Sequence, residues 1–356
     1  MIIKSKNIDE VILSLNFKNT LEKYFSYLIK ENKNIIIIYD HSLENQKIYL
    51  FLKKKIDAKF FKIKLKGELT TDYVDQLTSK IKNIKHKPEI LIGLGGGTVL
   101  DCVKAVSVLL TNKNKAASYQ GWNLIKNRGL FTIGIPTISG TGAESSKTCV
   151  LLNKQKNLKL GFNSNFTCFD KVFLFPEILK SVPKKQLLIT ASDTYFHSFE
   201  LLSGKKRIKH ADKLAKKSLR LIKEYLSNKD IKNIQNLKKL MLASLYAGEA
   251  ISFSMVGLVH PFSAAISAIY KTPHCLSNCI VLKGLQDYYP KEYKFLNKCF
   301  KIHKITIENR NKMNNKNIQL LYHSTMQHKK PLINHLGIKF DKILTFDEVG
   351  SIFKNL

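Results

Sequence analysis

The chain has 356 residues, of which 44% are hydrophobic and 24% charged, and its formal net charge is +32 at pH 7. This length allows two domains with cores of their own, and the composition excludes a disordered or fibrous chain. The 6 cysteines are scattered along the sequence, which argues against a disulfide framework.

The lysines are spread over the whole chain and form no single basic arm interleaved with aromatic residues. We therefore interpret the charge as a solvated lysine-rich surface. Attraction of an anionic substrate and weak nucleic-acid binding are the alternatives, and we consider nucleic acid an unlikely partner. Residues 1–9 lack the apolar region of a signal peptide, so we expect a cytoplasmic protein with reduced thiols.

The first strong pattern lies at residues 34–40, where four isoleucines precede Asp40. Such a run predicts a parallel strand buried on both faces. Ligands of α/β sheets bind at the carboxyl ends of the strands, so Asp40 is a candidate for holding a ribose hydroxyl. The alternative is a turn cap. A second short strand is predicted at residues 58–63, and a polar helix at residues 70–84.

A strand, a glycine turn and a helix are predicted around Gly95, Gly96 and Gly97. Glycines let the backbone approach a phosphate closely, and the start of the helix supplies N–H donors. Thr98 is a candidate helix cap or hydroxyl donor. In the usual dinucleotide fingerprint the acidic residue follows the glycines, whereas here Asp40 precedes them. A plain tight turn is the alternative.

A further strand, predicted at residues 131–136, leads into a run of hydroxyl groups and glycines that includes Thr137, Ser139 and Thr141. This composition predicts a second phosphate-binding loop. Lys159 follows on a predicted β-hairpin, from which it would reach the cofactor. In so lysine-rich a chain, a solvated surface lysine is the alternative.

From about residue 176 the strand patterns disappear and helical patterns dominate. We therefore predict an α/β dinucleotide-binding domain at residues 1–182 and an all-helical metal-binding domain at residues 183–356. The charged stretch 205–239 is typical of an outer layer. The weakly charged run 241–270 is predicted to be a set of buried helices rather than a membrane span, because Pro261 and two ionisable residues interrupt it.

The second domain contains one carboxylate and three histidines in mostly apolar sequence. Asp193 and His197 are four residues apart, so a helix places both side chains on one face. His260 and His274 lie downstream among small and apolar residues. Three imidazoles and a carboxylate suit Zn²⁺ or Fe²⁺. A surface Asp–His pair without a metal is the alternative for the first two.

Together these motifs resemble the iron-containing alcohol dehydrogenase family, which shares its fold with dehydroquinate synthase. The matching segments keep the family's order and spacing and are GGGTVLD at 95–101, PTISGTGAE at 136–144, DTYFH at 193–197, GLVH at 257–260 and PHCLSN at 273–278. The resemblance implies an N-terminal nucleotide-binding domain with a helix-flanked parallel sheet, an all-α C-terminal domain and a metal in the cleft between them. It also implies NAD or NADP as cofactor and a homodimer.

The resemblance assigns roles residue by residue. Its metal ligands correspond to Asp193, His197, His260 and His274. Its nicotinamide-cofactor cradle corresponds to Gly95, Gly96, Gly97, Thr98, Asp101, Thr137 and Thr141. Lys159 matches a family lysine near the cofactor ribose, and Asp40 matches the acidic residue after the early strand.

Four further segments are similar to one branch of the family, which oxidises the C8 hydroxyl of the sugar acid 3-deoxy-D-manno-octulosonate (Kdo). They are YQGWNLIKNRG at 119–129, TGAESSKT at 141–148, KLGFNSN at 159–165 and HPFS at 260–263. This likeness implies an anionic sugar acid as substrate and a place in lipopolysaccharide biosynthesis. A generic dehydrogenase of small alcohols and a dehydroquinate synthase-like cyclase are the alternatives.

The chain departs from the family pattern at two positions. Ala264 stands where many members have a second histidine, so a proton relay through that imidazole is absent. Cys275 stands where glycine is usual after the fourth ligand, and we interpret it and Cys279 as small buried hydrophobic residues. The sequence therefore identifies no protein base.

Overall fold

The computed structural model of the protein describes residues 1–31, 33–65, 67–311 and 313–356. The chain folds as two compact units, one formed by Met1–Asn153 with Leu160–Val182 and the other by Lys154–Lys159 with Pro183–Leu356. The turn of a hairpin thus groups with the second unit, whereas the sequence prediction assigned all of residues 1–182 to the first domain.

The first unit is built on a parallel sheet with helices α1–α4. Among the described residues its strand order is β1-β2-β10-β7-β5-β3-β4, and a small second sheet has the order β6-β9-β8. In the large sheet β1 runs antiparallel to β2, and the other neighbouring strands are parallel. The strands are β1 Ile2–Ile3, β2 Glu10–Leu13, β3 Ile35–Asp40, β4 Ala58–Ile63, β5 Ile90–Gly95, β6 Gly121–Trp122, β7 Phe131–Pro136, β8 Thr148–Asn153, β9 Leu158–Asn163 and β10 Lys171–Leu174.

The centre of the large sheet forms the core of this unit. Ile37, Ile92 and Ile133 lie in register on the adjacent strands β3, β5 and β7, and all three are fully buried. Because helices cover both faces of a parallel sheet, such strands are apolar throughout instead of alternating. The carboxyl ends of β5 and β7 therefore deliver the two predicted cofactor loops to the same edge of the sheet.

Helices make up the second unit, and several of the helix starts are capped as their sequences predict. Thr345 accepts a hydrogen bond from the backbone N–H of Glu348 at 3.2 Å, which is half of a capping box. In the first unit Thr70 caps α3 in the same way through the N–H of Tyr73 at 3.2 Å. The helices are α1 Phe17–Lys30, α2 Lys47–Lys55, α3 Thr71–Lys82, α4 Gly97–Thr111, α5 Lys184–Ser203, α6 Lys209–Ser227, α7 Ile234–Ile251, α8 Val259–Tyr270, α9 His274–Gly284, α10 Pro290–Ile302, α11 Asn315–Met326, α12 Lys329–Leu336, α13 Phe340–Ile343 and α14 Phe346–Lys354.

Helix α5 is the central element of the second unit, and each of its residues from Leu187 to Leu201 is buried. It tolerates small polar residues inside because Ser192 and Ser198 donate to backbone carbonyls one turn earlier, at 2.8 Å each. The charged α6 packs on α5 and α7, and α8 packs on α9 and α11. Among the described residues, no helix is both long and apolar enough to cross a membrane. The α/β unit followed by a helical unit is the fold class predicted from the sequence, which is thereby confirmed.

Candidate metal centre and nucleotide cradle

The buried carboxylate of Asp193, on α5, is the point on which the predicted ligands converge. The Nε2 atom of His260, near the start of α8, lies 3.4 Å from Asp193 Oδ1. The Nε2 atom of His274, the first residue of α9, lies 3.7 Å from Asp193 Oδ2. Asp193, His260 and His274 each offer one ligand atom, and these atoms all lie within 4.8 Å of one another. Three helices thus bring three metal-ligating groups to one point.

His197 is adjacent to this cluster but outside its mutual 4.8 Å limit. Its Nε2 atom is 3.7 Å from Asp193 Oδ1, as expected one helical turn further along α5. Its ring stacks on that of His260, with centroids 4.6 Å apart and planes inclined by 14°. The structure therefore brings three predicted ligands together and places the fourth beside them.

The donor set fits a divalent cation. Within the described part of the chain, His260 Nε2, the atom that faces Asp193, is buried without a hydrogen-bond partner. Buried polar atoms without partners are rare in proteins, and a bound ion is one of the accepted reasons for them. Imidazole nitrogen and carboxylate oxygen are ligands that both zinc and iron accept.

Burial and mutual charge set the protonation of this cluster. Burial raises the pKa of Asp193, but the imidazoles of His197, His274 and His260 more than offset this and hold it below its usual range. Burial lowers the pKa of His260, but the negative charges of Glu200 and Asp193 outweigh the effect of burial and raise this pKa to about 9. A proton on the Nε2 atom of His260 and a cation at the same atom exclude each other, so cation binding releases the Nε2 proton and leaves the one on Nδ1.

Glu200 fixes the orientation of the His260 ring. Its Oε2 atom lies 2.5 Å from His260 Nδ1, and its Oε1 atom accepts the backbone N–H of Val259 at 2.6 Å. Tyr289 donates its hydroxyl to the same Oε1 at 3.4 Å. A carboxylate on Nδ1 keeps the proton there and leaves the Nε2 lone pair for a metal, which is the usual outer-sphere arrangement of a ligating histidine.

Asp193 is held by the helix that carries His274. Asn278 donates to Oδ1 at 2.7 Å, and the Cys275 thiol lies 3.6 Å from Oδ2. Both cysteines near His274 are buried, since Cys275 is 8% exposed and Cys279 is 7% exposed. Burial raises the pKa of both thiols, so they stay neutral. Cys275 is therefore more than a space-filling residue, because its S–H group points at the carboxylate.

The glycine turn of the first unit forms a cradle that side chains would fill. Strand β5 ends at Gly95 and helix α4 begins at Gly97. A Cβ atom on Gly96 would lie 2.7 Å from a methyl group of Ile138, and one on Gly97 would lie 2.9 Å from the hydroxyl of Thr141. The two predicted loops therefore touch, and the N–H groups at the start of α4 are available to a phosphate.

Two sequence models cover most of the chain. The model described as iron-containing alcohol dehydrogenase matches residues 15–176, and the model of the C-terminal part of the Fe-containing alcohol dehydrogenase family matches residues 188–346. The chain belongs to the iron-containing alcohol dehydrogenase family. The family resemblance inferred from the sequence motifs is thereby confirmed.

Several curated proteins of known activity are similar to this family member. A sulfoacetaldehyde reductase of Bilophila wadsworthia is 32% identical over 59% of this chain and 54% of its own length. A 1-propanol dehydrogenase of Salmonella typhimurium is 28% identical over 70% of this chain and 65% of its own. A 4-hydroxybutyrate dehydrogenase of Clostridium kluyveri is 28% identical over 77% of this chain and 73% of its own length. The chain thus spans about half to two thirds of the first two relatives.

Solved structures match over nearly the full length. An iron-containing alcohol dehydrogenase superposes with a TM-score of 0.80 at 20% identity, covering 99% of this chain and 98% of that one. A sulfoacetaldehyde reductase of Bifidobacterium kashiwanohense, crystallised with NAD+, gives a TM-score of 0.77 at 18% identity. The match covers 100% of this chain and 98% of that one. At these identities the likeness establishes the fold.

The remaining residues matched to the family's cofactor site lie in varied settings. Asp40 accepts from the N–H and hydroxyl of Ser42 at 2.9 and 2.6 Å, so it caps a turn, which was the alternative role for it. Asp101 accepts the backbone N–H of Val150 at 2.9 Å. Thr98 is exposed at the start of α4. Thr137 and Ser139 are buried next to the cradle, and Thr141 is half-buried.

Lys159 is 5% exposed, so the alternative of a solvated surface lysine is wrong. It lies on β9, as the predicted hairpin required, and its charge bears on His274, which belongs to the same compact unit as Lys159. Burial and this positive charge lower the pKa of His274 well below its usual range. A neutral imidazole is the form that ligates metals.

Sequence reasoning missed Lys104, which is 1% exposed. Its ammonium donates to the carbonyls of Ala143 at 2.9 Å and Thr148 at 2.5 Å and lies 3.3 Å from Asp101. It thereby ties the second cofactor loop to α4. A charged residue inside the apolar run of α4 was the available signal, because a buried ammonium needs several oxygen partners.

Replacing Gly96 with valine is expected to weaken cofactor binding. The new side chain collides with Ile138, and we expect it to enter the space proposed for a cofactor phosphate. Excluding a phosphate from this space is expected to raise the dissociation constant for NADH by at least about tenfold, or about 1.4 kcal/mol. Quenching of protein fluorescence by NADH measures it. Gly350→Ala, on α14, is the control, and an unchanged NADH affinity in Gly96→Val would refute the cradle.

Proposed function

We propose that the protein is a metal- and NAD(P)-dependent dehydrogenase that oxidises a CH–OH group. The observation that carries this proposal is the convergence of Asp193, His260 and His274 on one point in a member of this family. His197, stacked on His260, is the proposed fourth ligand. Gly95, Gly96 and Gly97, with the loop from Thr137 to Thr141, are proposed to hold the cofactor phosphates.

In the proposed mechanism the protein positions the cation and the cofactor and supplies a buried negative charge. When bound, the divalent cation and the nicotinamide supply the Lewis acidity and the hydride acceptor for this oxidation. Asp193 contributes a buried negative charge, held in place by Asn278. Glu200 retains the proton on His260 Nδ1, so that Nε2 stays available as a ligand. The glycines admit the phosphates, whose position fixes that of the reacting ring.

The proposed substrate is an anionic hydroxy acid, with C8 of Kdo as the specific candidate. Four sequence segments resemble the branch of the family that acts on this sugar acid. Two of the relatives are named for activities on anionic compounds, namely sulfoacetaldehyde and 4-hydroxybutyrate. The buried Lys159, whose charge reaches His274, offers a cation to such a substrate or to the cofactor. By family resemblance we further propose a cytoplasmic homodimer.

Metal and nucleotide identity are tested on the purified protein. Elemental analysis is expected to find about one equivalent of zinc or iron per chain, because the described residues contain one such ligand cluster. Heat release followed by chromatography identifies any retained NAD or NADP. Protein that gains no divalent metal after incubation with either ion would overturn the proposal.

An activity screen then separates the substrate classes. Kdo, 4-hydroxybutyrate and 1-propanol are each incubated with the metal-loaded protein and NAD or NADP. We expect cofactor reduction with Kdo, detected at 340 nm. Reduction with 1-propanol alone would favour a generic alcohol dehydrogenase. A cyclase of the dehydroquinate type would show no net cofactor reduction with any of the alcohols.

A further inference from the structure

His328 carries a buried nitrogen whose bonding capacity is unused. The residue lies in the turn between α11 and α12, and its backbone is fixed by hydrogen bonds to Thr325 at 3.1 Å and from Leu332 at 3.3 Å. The ring as a whole is half-buried, but its Nε2 atom is buried and has no hydrogen-bond partner among the described residues. Such an atom costs free energy unless a ligand satisfies it.

The position of His328 associates it with the metal centre. Helices α11 and α12, which flank it, both pack against α8, the helix that carries His260. Burial lowers the pKa of His328 to about 4, and the charges of Lys159 and His260 lower it further in the same direction. The packing of the helices points to the same place. Tyr270, at the end of α8, lies 3.5 Å from the sulfur of Met313, just before α11, so the other end of α11, next to His328, lies toward the start of α8, where His260 is.

Lys159 also acts on His274, one of the three convergent ligands. His328 is therefore a further imidazole on the periphery of the cluster, contributed by a different part of the chain and outside the set that can share one cation. The position at which many family members carry a second histidine is Ala264 here, on the same helix α8 against which α11 and α12 pack.

We propose that His328 contacts the substrate and accepts the proton of the reacting hydroxyl group. This inference rests on the proposed dehydrogenase function. In the oxidation the carbinol C–H bond breaks and its electron pair leaves as hydride to NAD+ or NADP+. The O–H bond breaks, its proton passes to His328 Nε2, and the C=O bond forms. A neutral imidazole with a free lone pair is suited to this step, which contributes about 10²–10⁴-fold in other enzymes.

The test uses His328→Ala and the near-isosteric His328→Asn in the metal-loaded protein, with Kdo and 1-propanol as substrates. We expect kcat to fall by about a hundredfold or more, with zinc content and NADH affinity unchanged. Added imidazole is expected to restore part of kcat in His328→Ala, because it can occupy the space of the missing ring. A purely structural role would not produce this rescue.

The control is His323→Ala, an exposed histidine on α11, which is expected to retain wild-type kcat. Wild-type kcat in His328→Asn, or loss of metal together with activity and no imidazole rescue, would overturn the inference. If the wild type oxidises neither alcohol, the proposed function fails and the inference with it. If the wild type is active and a His328 variant is fully active too, the inference about His328 is wrong while the proposed dehydrogenase function stands.

Discussion

Replacing His260 with alanine is expected to remove metal binding and to lower turnover by roughly a thousandfold or more, since Lewis-acid stabilisation is worth several kcal/mol. His260 offers the buried Nε2 atom that lies 3.4 Å from Asp193 Oδ1, and the atom has no hydrogen-bond partner among the described residues. Without the ring, two convergent ligands and the adjacent His197 are left. Inductively coupled plasma mass spectrometry after dialysis measures the metal, and NADH formation measures turnover.

The alanine variant also leaves the carboxylate of Glu200 without its imidazole partner, so part of any loss could come from unfolding. His260→Gln keeps a polar group there and serves as the second variant. NADH binding is expected to survive in both, because the cradle glycines belong to the other unit. His86→Ala, an exposed histidine of the first unit, is the control. A His260 variant that keeps its metal and turns over normally would contradict the ligand assignment.

The sequence predicts those parts of the fold that local pattern determines. Strands β4 and β7 were predicted with the bounds that the structure shows, because aromatic and β-branched residues are concentrated in these two short segments. The structure also shows the helix on which the interpretation of the Asp193–His197 spacing depended, namely α5. By contrast, β1 and β10 have only 2 and 4 residues, too few for a periodic pattern.

The residues that converge at the candidate metal centre could be singled out from the sequence because histidine and aspartate are chemically distinctive in apolar sequence. Their supporting residues could not. Glu200 lies one turn beyond His197, yet only tertiary packing brings it to His260, which is 60 positions away. Lys104 looked like one lysine among many, and its role emerges from carbonyls 39 and 44 positions downstream. Partners this distant in sequence are set by tertiary packing.

Replacing Glu200 with glutamine is expected to weaken metal binding without abolishing it. The amide keeps the size of the side chain and a hydrogen bond to His260 Nδ1, but it removes the charge that holds the proton on that nitrogen. Loss of such an outer-sphere carboxylate typically costs about 10- to 100-fold in metal affinity. Competition with a fluorescent zinc chelator measures the dissociation constant directly, independently of turnover.

The chain contains a matched control for this substitution. Glu249 on α7 is likewise buried, at 2% exposure, and its Oε1 atom lies 3.2 Å from His210 Nε2. Glu249→Gln therefore perturbs a carboxylate–imidazole pair that includes none of the proposed ligands. Both variants are expected to lower the melting temperature, but only Glu200→Gln should release zinc more readily. Equal zinc affinities in the two variants would show that Glu200 supports the fold and has no influence on the metal.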